Sequence, residues 1–214
     1  MIGYYNYTVI LTYMSLVSSV VGMFFALGIN CGAPHPEYAI ICLMLSGLCD
    51  MFDGKIARTK KNRTENEKQF GIQIDSLCDV ICFGVLPSII GYSVGMNSWL
   101  DMPILVMFPL CAVIRLAYFN VAEEIRQKKT ENVRKVYEGL PVTSVALIIP
   151  LLYSFSEDIG SKLFPAVYGL AMFLIAIAFI TRFKVKKPSM KTMLCFIGVG
   201  VVELVWMLYK TKIQ

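Results

Sequence analysis

Asp50 and Asp53 stand three residues apart in "SGLCDMFDGKIARTKK" (46–61), and Asp75 and Asp79 four apart in "GIQIDSLCDVICFGVLPSII" (71–90). On helices each pair shares one face. An ionised carboxylate in apolar surroundings is costly, and four together repel one another, so a cation or protons must accompany them. The chain has one histidine, His35, and cysteines mostly embedded in apolar stretches, so it offers no set of soft ligands. Oxygen-only ligands on neighbouring helix faces suit Mg²⁺ or Mn²⁺.

Such an ion at a membrane surface fits a phosphorylated substrate. It would neutralise phosphate oxygens while one carboxylate activates an incoming hydroxyl. Gly54, Ala57 and Gly71 remove bulk where a ligand could approach, and Arg58 could hold phosphate or pair with an acid. Two non-enzymatic readings stay open at this point. The acids could be solvated helix ends, with Asp50 and Asp53 paired to Lys55 and Arg58. They could also belong to a proton or ion channel, against which stands the lack of a polar trail through the other apolar segments.

The elements that must position these residues are membrane spans. The 214 residues are 57% hydrophobic with a mean hydropathy of +0.64, too apolar for an ordinary soluble domain. Apolar segments fall near 9–29, 36–54, 71–92, 101–121, 140–155, 163–181 and 190–209, which predicts an all-α, polytopic bundle of about seven transmembrane helices. The second and fifth have the shortest apolar cores. A cleavable signal peptide is not expected, because the apolar run after Ile10 is too long and ends in no small-residue site.

Basic residues sort the connections. Residues 55–70, 122–138 and 182–191 carry sixteen of the twenty Lys and Arg, whereas 30–36, 93–100 and 156–162 carry only Lys162. The net charge of +5 therefore reads as topology, not nucleic-acid binding. The positive-inside rule puts the basic connections and the N-terminus in the cytoplasm and the C-terminus outside, with Lys210 and Lys212 as a mild objection. The same loops would attract anionic phospholipid headgroups. All four aspartates then share one depth, in a cavity facing the cytoplasm. Cys31 falls in a loop, while Cys78 and Cys82, like Cys195, read as packing residues. "NYT" (6–8) matches a glycosylation pattern on the wrong side for use.

Asp50-x-x-Asp53-Gly54-x-x-Ala57-Arg58 followed by Gly71-x-x-x-Asp75-x-x-x-Asp79 resembles the signature of the CDP-alcohol phosphatidyltransferases. These transfer a phosphatidyl group from a CDP-linked lipid to an alcohol and release CMP. Twelve residues, 59–70, separate Arg58 from Gly71, a longer connection than the family usually has. "DSLCDVICFGVLPSI", "RLAYFNV" (115–121), "GLP" (139–141) and "FITRFKVKKPS" are similar to the phosphatidylserine synthase branch, although Tyr118 replaces its second arginine. The similarity runs from about residue 8 to 190, which leaves 191–214 as an additional helix and tail.

The resemblance implies a homodimeric membrane enzyme binding two metal ions. Asp50, Asp53 and Asp75 would be metal ligands, with Asp79 on the second ion and serving as general base. Gly54, Ala57, Arg58 and Gly71 would line the CDP site, and Thr12 and Ser15 of the first span could face the nucleotide. L-serine would be the acceptor and CDP-diacylglycerol the donor. A zwitterionic acceptor calls for an arginine on its carboxylate, and Arg115 is the candidate, with Asn120 and Glu138 adding polar contacts. Other acceptors (glycerol 3-phosphate, inositol or inositol phosphate) and CDP-archaeol as donor share the core signature. Phosphorylated acceptors should want more cations in the cavity than this chain supplies.

Overall fold

A computed structural model describes residues 3–4, 6–29, 32–60, 62–129, 136–186, 192 and 197–206. Cys31, Lys61, Arg134, Lys135, Lys187, Lys191, Cys195, Lys210 and Lys212, and with them parts of the expected loops and last span, lie outside the described residues. Among the described residues the fold is helical apart from one short ribbon. A single turn at Tyr7–Val9 leads into α1 (Ile10–Ala26), followed by α2 (Pro36–Ala57) and α3 (Glu65–Asp79). Without a break, α3 continues through a π-helical stretch (Val80–Val85) into α4 (Leu86–Ser93). Next come α5 (Met102–Lys129), β1 (Val136–Glu138), α6 (Val145–Ser154), α7 (Ser156–Ile159), α8 (Phe164–Ile180), β2 (Lys184–Lys186) and α9 (Ile197–Trp206).

Among the described residues, three helical stretches are long and apolar enough to cross a membrane: Tyr7–Ala26, Glu65–Ser93 and Met102–Arg126. Val142–Ser154, Phe164–Ile180 and Ile197–Trp206 are apolar but shorter. At 22 residues α2 is about 33 Å long, enough for a bilayer core, but its second half carries the charged residues of the motif.

On α1 the side turned into the bundle is small and partly polar, and the opposite side is apolar. The buried stripe is Thr12, Ser15, Ser19, Gly22 and Ala26, while Ile10, Met14, Val17, Val21 and Phe24 are exposed. Lipid tails are as apolar as leucine, so helices in a bilayer associate through close packing and hydrogen bonds. Here α1 and α2 do both. A β-carbon built on Gly22 would lie 2.8 Å from Cys42 Cβ. Ser19 and Ser46 hydroxyls bond at 2.8 Å, and Ser46 donates to the Ser15 carbonyl at 2.9 Å.

The π-helical stretch follows from Pro87, which has no N–H to donate and would crowd the carbonyl four residues back. The Leu86 N–H reaches five residues back to the Ile81 carbonyl, and the Ser88 hydroxyl donates to Gly84 O at 3.2 Å. Fully buried Tyr168 of α8 donates to the Pro87 carbonyl at 2.9 Å, pinning α8 to this element. Around it pack Phe83, Leu86, Ile90, Phe108 and Phe179, with the Phe108 and Phe179 rings 5.5 Å apart.

The ribbon was not foreshadowed by the sequence, which places loops there. β1 and β2 pair antiparallel, Val136 opposite Lys186 and Glu138 opposite Lys184. Gly139 makes the exit turn at φ +75°, donating to Phe183 O at 2.7 Å, and a β-carbon there would lie 2.9 Å from Thr181 O. α9 packs against α6 and α2, where a β-carbon on Gly200 would sit 3.7 Å from Leu147 and 4.0 Å from Met44.

Candidate active site

α2 and α3 carry the four acids to one place. Asp50, Asp75 and Asp79 each bring a carboxylate oxygen within 4.8 Å of the others. Asp53 lies beside Asp75, within hydrogen-bonding reach of its carboxyl group, and accepts the Thr12 hydroxyl at 3.3 Å. Asp53 and Asp79 are each 8% exposed. The connection into α3 is fixed by a capping box: Glu67 N–H donates to Thr64 Oγ1 at 3.2 Å, and Thr64 N–H donates to Glu67 Oε2 at 2.9 Å.

No lysine or arginine forms an ion pair with any of the four acids among the described residues. Lys55 instead lies over the Phe52 ring, 4.9 Å from its centroid. Solvated, paired helix ends therefore do not describe the site. Its donor set fits a hard divalent cation: all oxygen, uncompensated, from two helices. Oxygens on opposite sides of an ion bound at about 2.1–2.6 Å stand about 4–5 Å apart, which matches the spacing here.

Beside the acids the wall is open. A β-carbon on Gly54 would have nothing within 4 Å. Ala57 is half-buried, and Arg58 is exposed at the end of α2. Gly71, one turn before Asp75, is covered instead by Arg63: a β-carbon there would lie 2.6 Å from Arg63 Nη2. Thr12 and Ser15 have different partners. Thr12 addresses Asp53, whereas Ser15 donates to the Ser46 carbonyl at 3.2 Å and lies 3.4 Å from Cys82 Sγ.

A second polar group gathers at the basic end of α5. Buried Arg115 donates through Nε to Leu140 O at 3.1 Å and lies over the Phe119 ring. Asn120 Nδ2 donates to Ser76 Oγ at 2.8 Å, which ties α5 to α3 next to Asp75. Glu138 accepts the Tyr118 hydroxyl at 2.7 Å, and the Arg182 guanidinium stacks 5.2 Å from the Tyr118 ring. A guanidinium from the end of α8 thus lies against the position where the branch pattern has an arginine. Sequence reasoning had no role for Ser76 or Arg63. Ser76 was signalled only by its place between the two acids, and Arg63 was one basic loop residue among several.

A CDP-alcohol phosphatidyltransferase family model matches residues 5–184. The chain is 36% identical over 125 residues to the CDP-diacylglycerol–serine O-phosphatidyltransferase of Saccharomyces cerevisiae, covering 57% of this chain and 44% of that one. It is 33% identical over 138 residues to the enzyme of the same name from Helicobacter pylori, covering 60% and 54%. An archaetidylserine synthase from Methanothermobacter thermautotrophicus is 34% identical over 116 residues, covering 54% and 46%. The chain spans about half the length of these relatives.

Proposed function

Because the chain belongs to the CDP-alcohol phosphatidyltransferase family, a divalent-metal-dependent family, we propose that it transfers the phosphatidyl group of CDP-diacylglycerol to the hydroxyl of L-serine, giving phosphatidylserine and CMP. The observation that carries the reading is the uncompensated four-aspartate cluster on two adjoining helices, beside an open glycine wall. The names of the relatives supply the acceptor.

Asp50, Asp53, Asp75 and Asp79 would hold Mg²⁺ or Mn²⁺, two ions in this reading. Bound there, the metal supplies charge neutralisation on the diphosphate and polarises the bridge that breaks. Asp79 takes the proton of the serine hydroxyl as the serine oxygen bonds to the lipid-side phosphorus. The bond from that phosphorus to the bridging oxygen breaks, and CMP leaves with the electron pair. Gly54, Ala57, Arg58 and Gly71 flank the nucleotide, and Thr12 holds Asp53 in place. Arg115 receives the serine carboxylate, its guanidinium oriented by the Nε bond to Leu140, while Asn120 and Glu138 offer the remaining polar contacts. The architecture we assign is seven spans with the cavity open to the cytoplasm. Residues 1–190 would form the catalytic unit, 191–214 an added helix, and the membrane form would be a homodimer.

The test is CMP release by purified protein with CDP-diacylglycerol, Mg²⁺ or Mn²⁺, and one acceptor at a time: serine, glycerol 3-phosphate, inositol, inositol phosphate. Turnover is expected with serine and metal only. Asp79→Asn should lower kcat by about 10²–10⁴-fold while the thermal transition stays in place. Turnover with a different acceptor overturns the serine assignment. Turnover only with CDP-archaeol, the donor suggested by the archaetidylserine synthase similarity, would keep the chemistry and change the lipid.

A further inference from the structure

Arg63 lies in the long connection between α2 and α3, and its guanidinium bridges the ends of the two helices. Nη1 donates to the Ala57 carbonyl at 3.4 Å and Nη2 to the Glu67 carbonyl at 3.2 Å. The first is longer than the about 2.7–3.2 Å of ordinary N–H···O bonds and the second lies at the upper edge of that range. Nε is buried and has no acceptor among the described residues. The space comes from Gly71, where a β-carbon would stand 2.6 Å from Nη2. A cation with under-satisfied donors therefore fills a notch one helical turn from the acids, since Ala57 follows Asp53 by four residues and Gly71 precedes Asp75 by four.

Described residues on either side of Arg63 bond to one another and to the start of the chain. Lys60 pairs with Glu67 at 2.7 Å, Asn6 donates to the same carboxylate at 3.4 Å, and Tyr7 and Thr59 hydroxyls meet at 3.1 Å. Phosphate oxygens would serve its donors better than the two carbonyl contacts, and the acids one turn away are the residues that would hold a metal, which would neutralise the rest of a diphosphate. We propose that Arg63 is a nucleotide-contacting residue whose guanidinium exchanges the Ala57 and Glu67 carbonyls for the nucleoside-side phosphate of a bound cytidine diphosphate. This rests on the transferase reading above and adds to it a binding residue from the lengthened connection.

The test is calorimetric titration of the purified full chain with CDP in Mn²⁺, alongside Mn²⁺ binding alone. Arg63→Gln should weaken CDP about tenfold, raise KM for CDP-diacylglycerol by a similar factor, and leave Mn²⁺ affinity, kcat and KM for serine unchanged. Arg63→Lys should fall between, and Lys68→Gln, an exposed control, should match the parent. Gly71→Ala displaces the guanidinium with the arginine retained, so its effect on CDP affinity should shrink in the Arg63→Gln background. Where Arg63→Gln does not fold, Arg63→Lys carries the test, and CDP affinity equal to the parent's in that variant overturns the proposal. Equal or tighter CDP binding by Arg63→Gln, or strict additivity with Gly71→Ala, overturns the proposal. Failure of the unaltered chain to bind CDP overturns the transferase reading with it.

Discussion

Asp53 illustrates how a carboxylate in an apolar chain is held ready without a counter-charge. Thr12 donates its hydroxyl to it at 3.3 Å from the neighbouring helix, and it stands against Asp75. A bond of this kind contributes about 0.5–1.5 kcal/mol. Thr12→Val, nearly the same shape without the donor, should therefore weaken Mn²⁺ binding about two- to tenfold by equilibrium dialysis, and Thr12→Ser should restore most of it. Unchanged affinity in Thr12→Val would separate Thr12 from the proposed metal site. The resemblance of the first span made both Thr12 and Ser15 candidates to face the nucleotide, and they lie three apart on one helix face. What separates them is the crossing of α1 over α2, which points Ser15 at the Ser46 carbonyl. That angle is a tertiary fact with no local signature, and so is the bond between Asn120 and Ser76.

Among the elements, hydrophobic runs anticipated most helices within a few residues, because apolar length is what a bilayer selects. Expected spans at 36–54 and 163–181 correspond to Pro36–Ala57 and Phe164–Ile180. The π-helical stretch and the ribbon were not legible. Val80–Val85 is as apolar as its neighbours, and three-residue strands in charged connections have no period to read. Close helix approach was only half legible, as small residues whose partners were unknown. Gly47 shows the partner: a β-carbon there would lie 2.4 Å from Ala146 Cβ, so α2 and α6 pack nearly backbone to backbone. Neither atom belongs to a flexible side chain that could yield. Gly47→Ala should accordingly destabilise by about 1–3 kcal/mol, seen as a lower thermal transition in detergent. Ala146→Gly in the same chain should recover it. An unmoved transition would show that the two helices can part at no cost.

At the scale of the whole molecule, charge and geometry agree on which helix ends lie together. Counting spans by parity puts the basic connections on one side, but parity fails if one span is misread. The contacts do not depend on the count. Asn6 and Tyr7 bond to Glu67 and Thr59, which joins the start of α1 to the connection between α2 and α3. β1 follows α5 and β2 follows α8, so their pairing brings those two basic connections together. At the other end, His35 N–H donates to Phe25 O, and a β-carbon on Gly95 would lie 3.0 Å from Pro165. The cytoplasmic assignment of the basic end rests on the positive-inside rule, and labelling can test it. Thr59→Cys and Lys184→Cys, read as mass-tag shifts above the parent chain's background, should resist an impermeant maleimide in intact cells and react after permeabilisation. Asn97→Cys, in an exposed turn of the opposite end, should react in both. Protection of Asn97→Cys with labelling of the other two would invert the molecule, and the aspartates with it, and overturn the proposed cytoplasmic opening of the cavity. Labelling of Thr59→Cys and Lys184→Cys from opposite sides would break the ribbon's arrangement as well as the seven-span count.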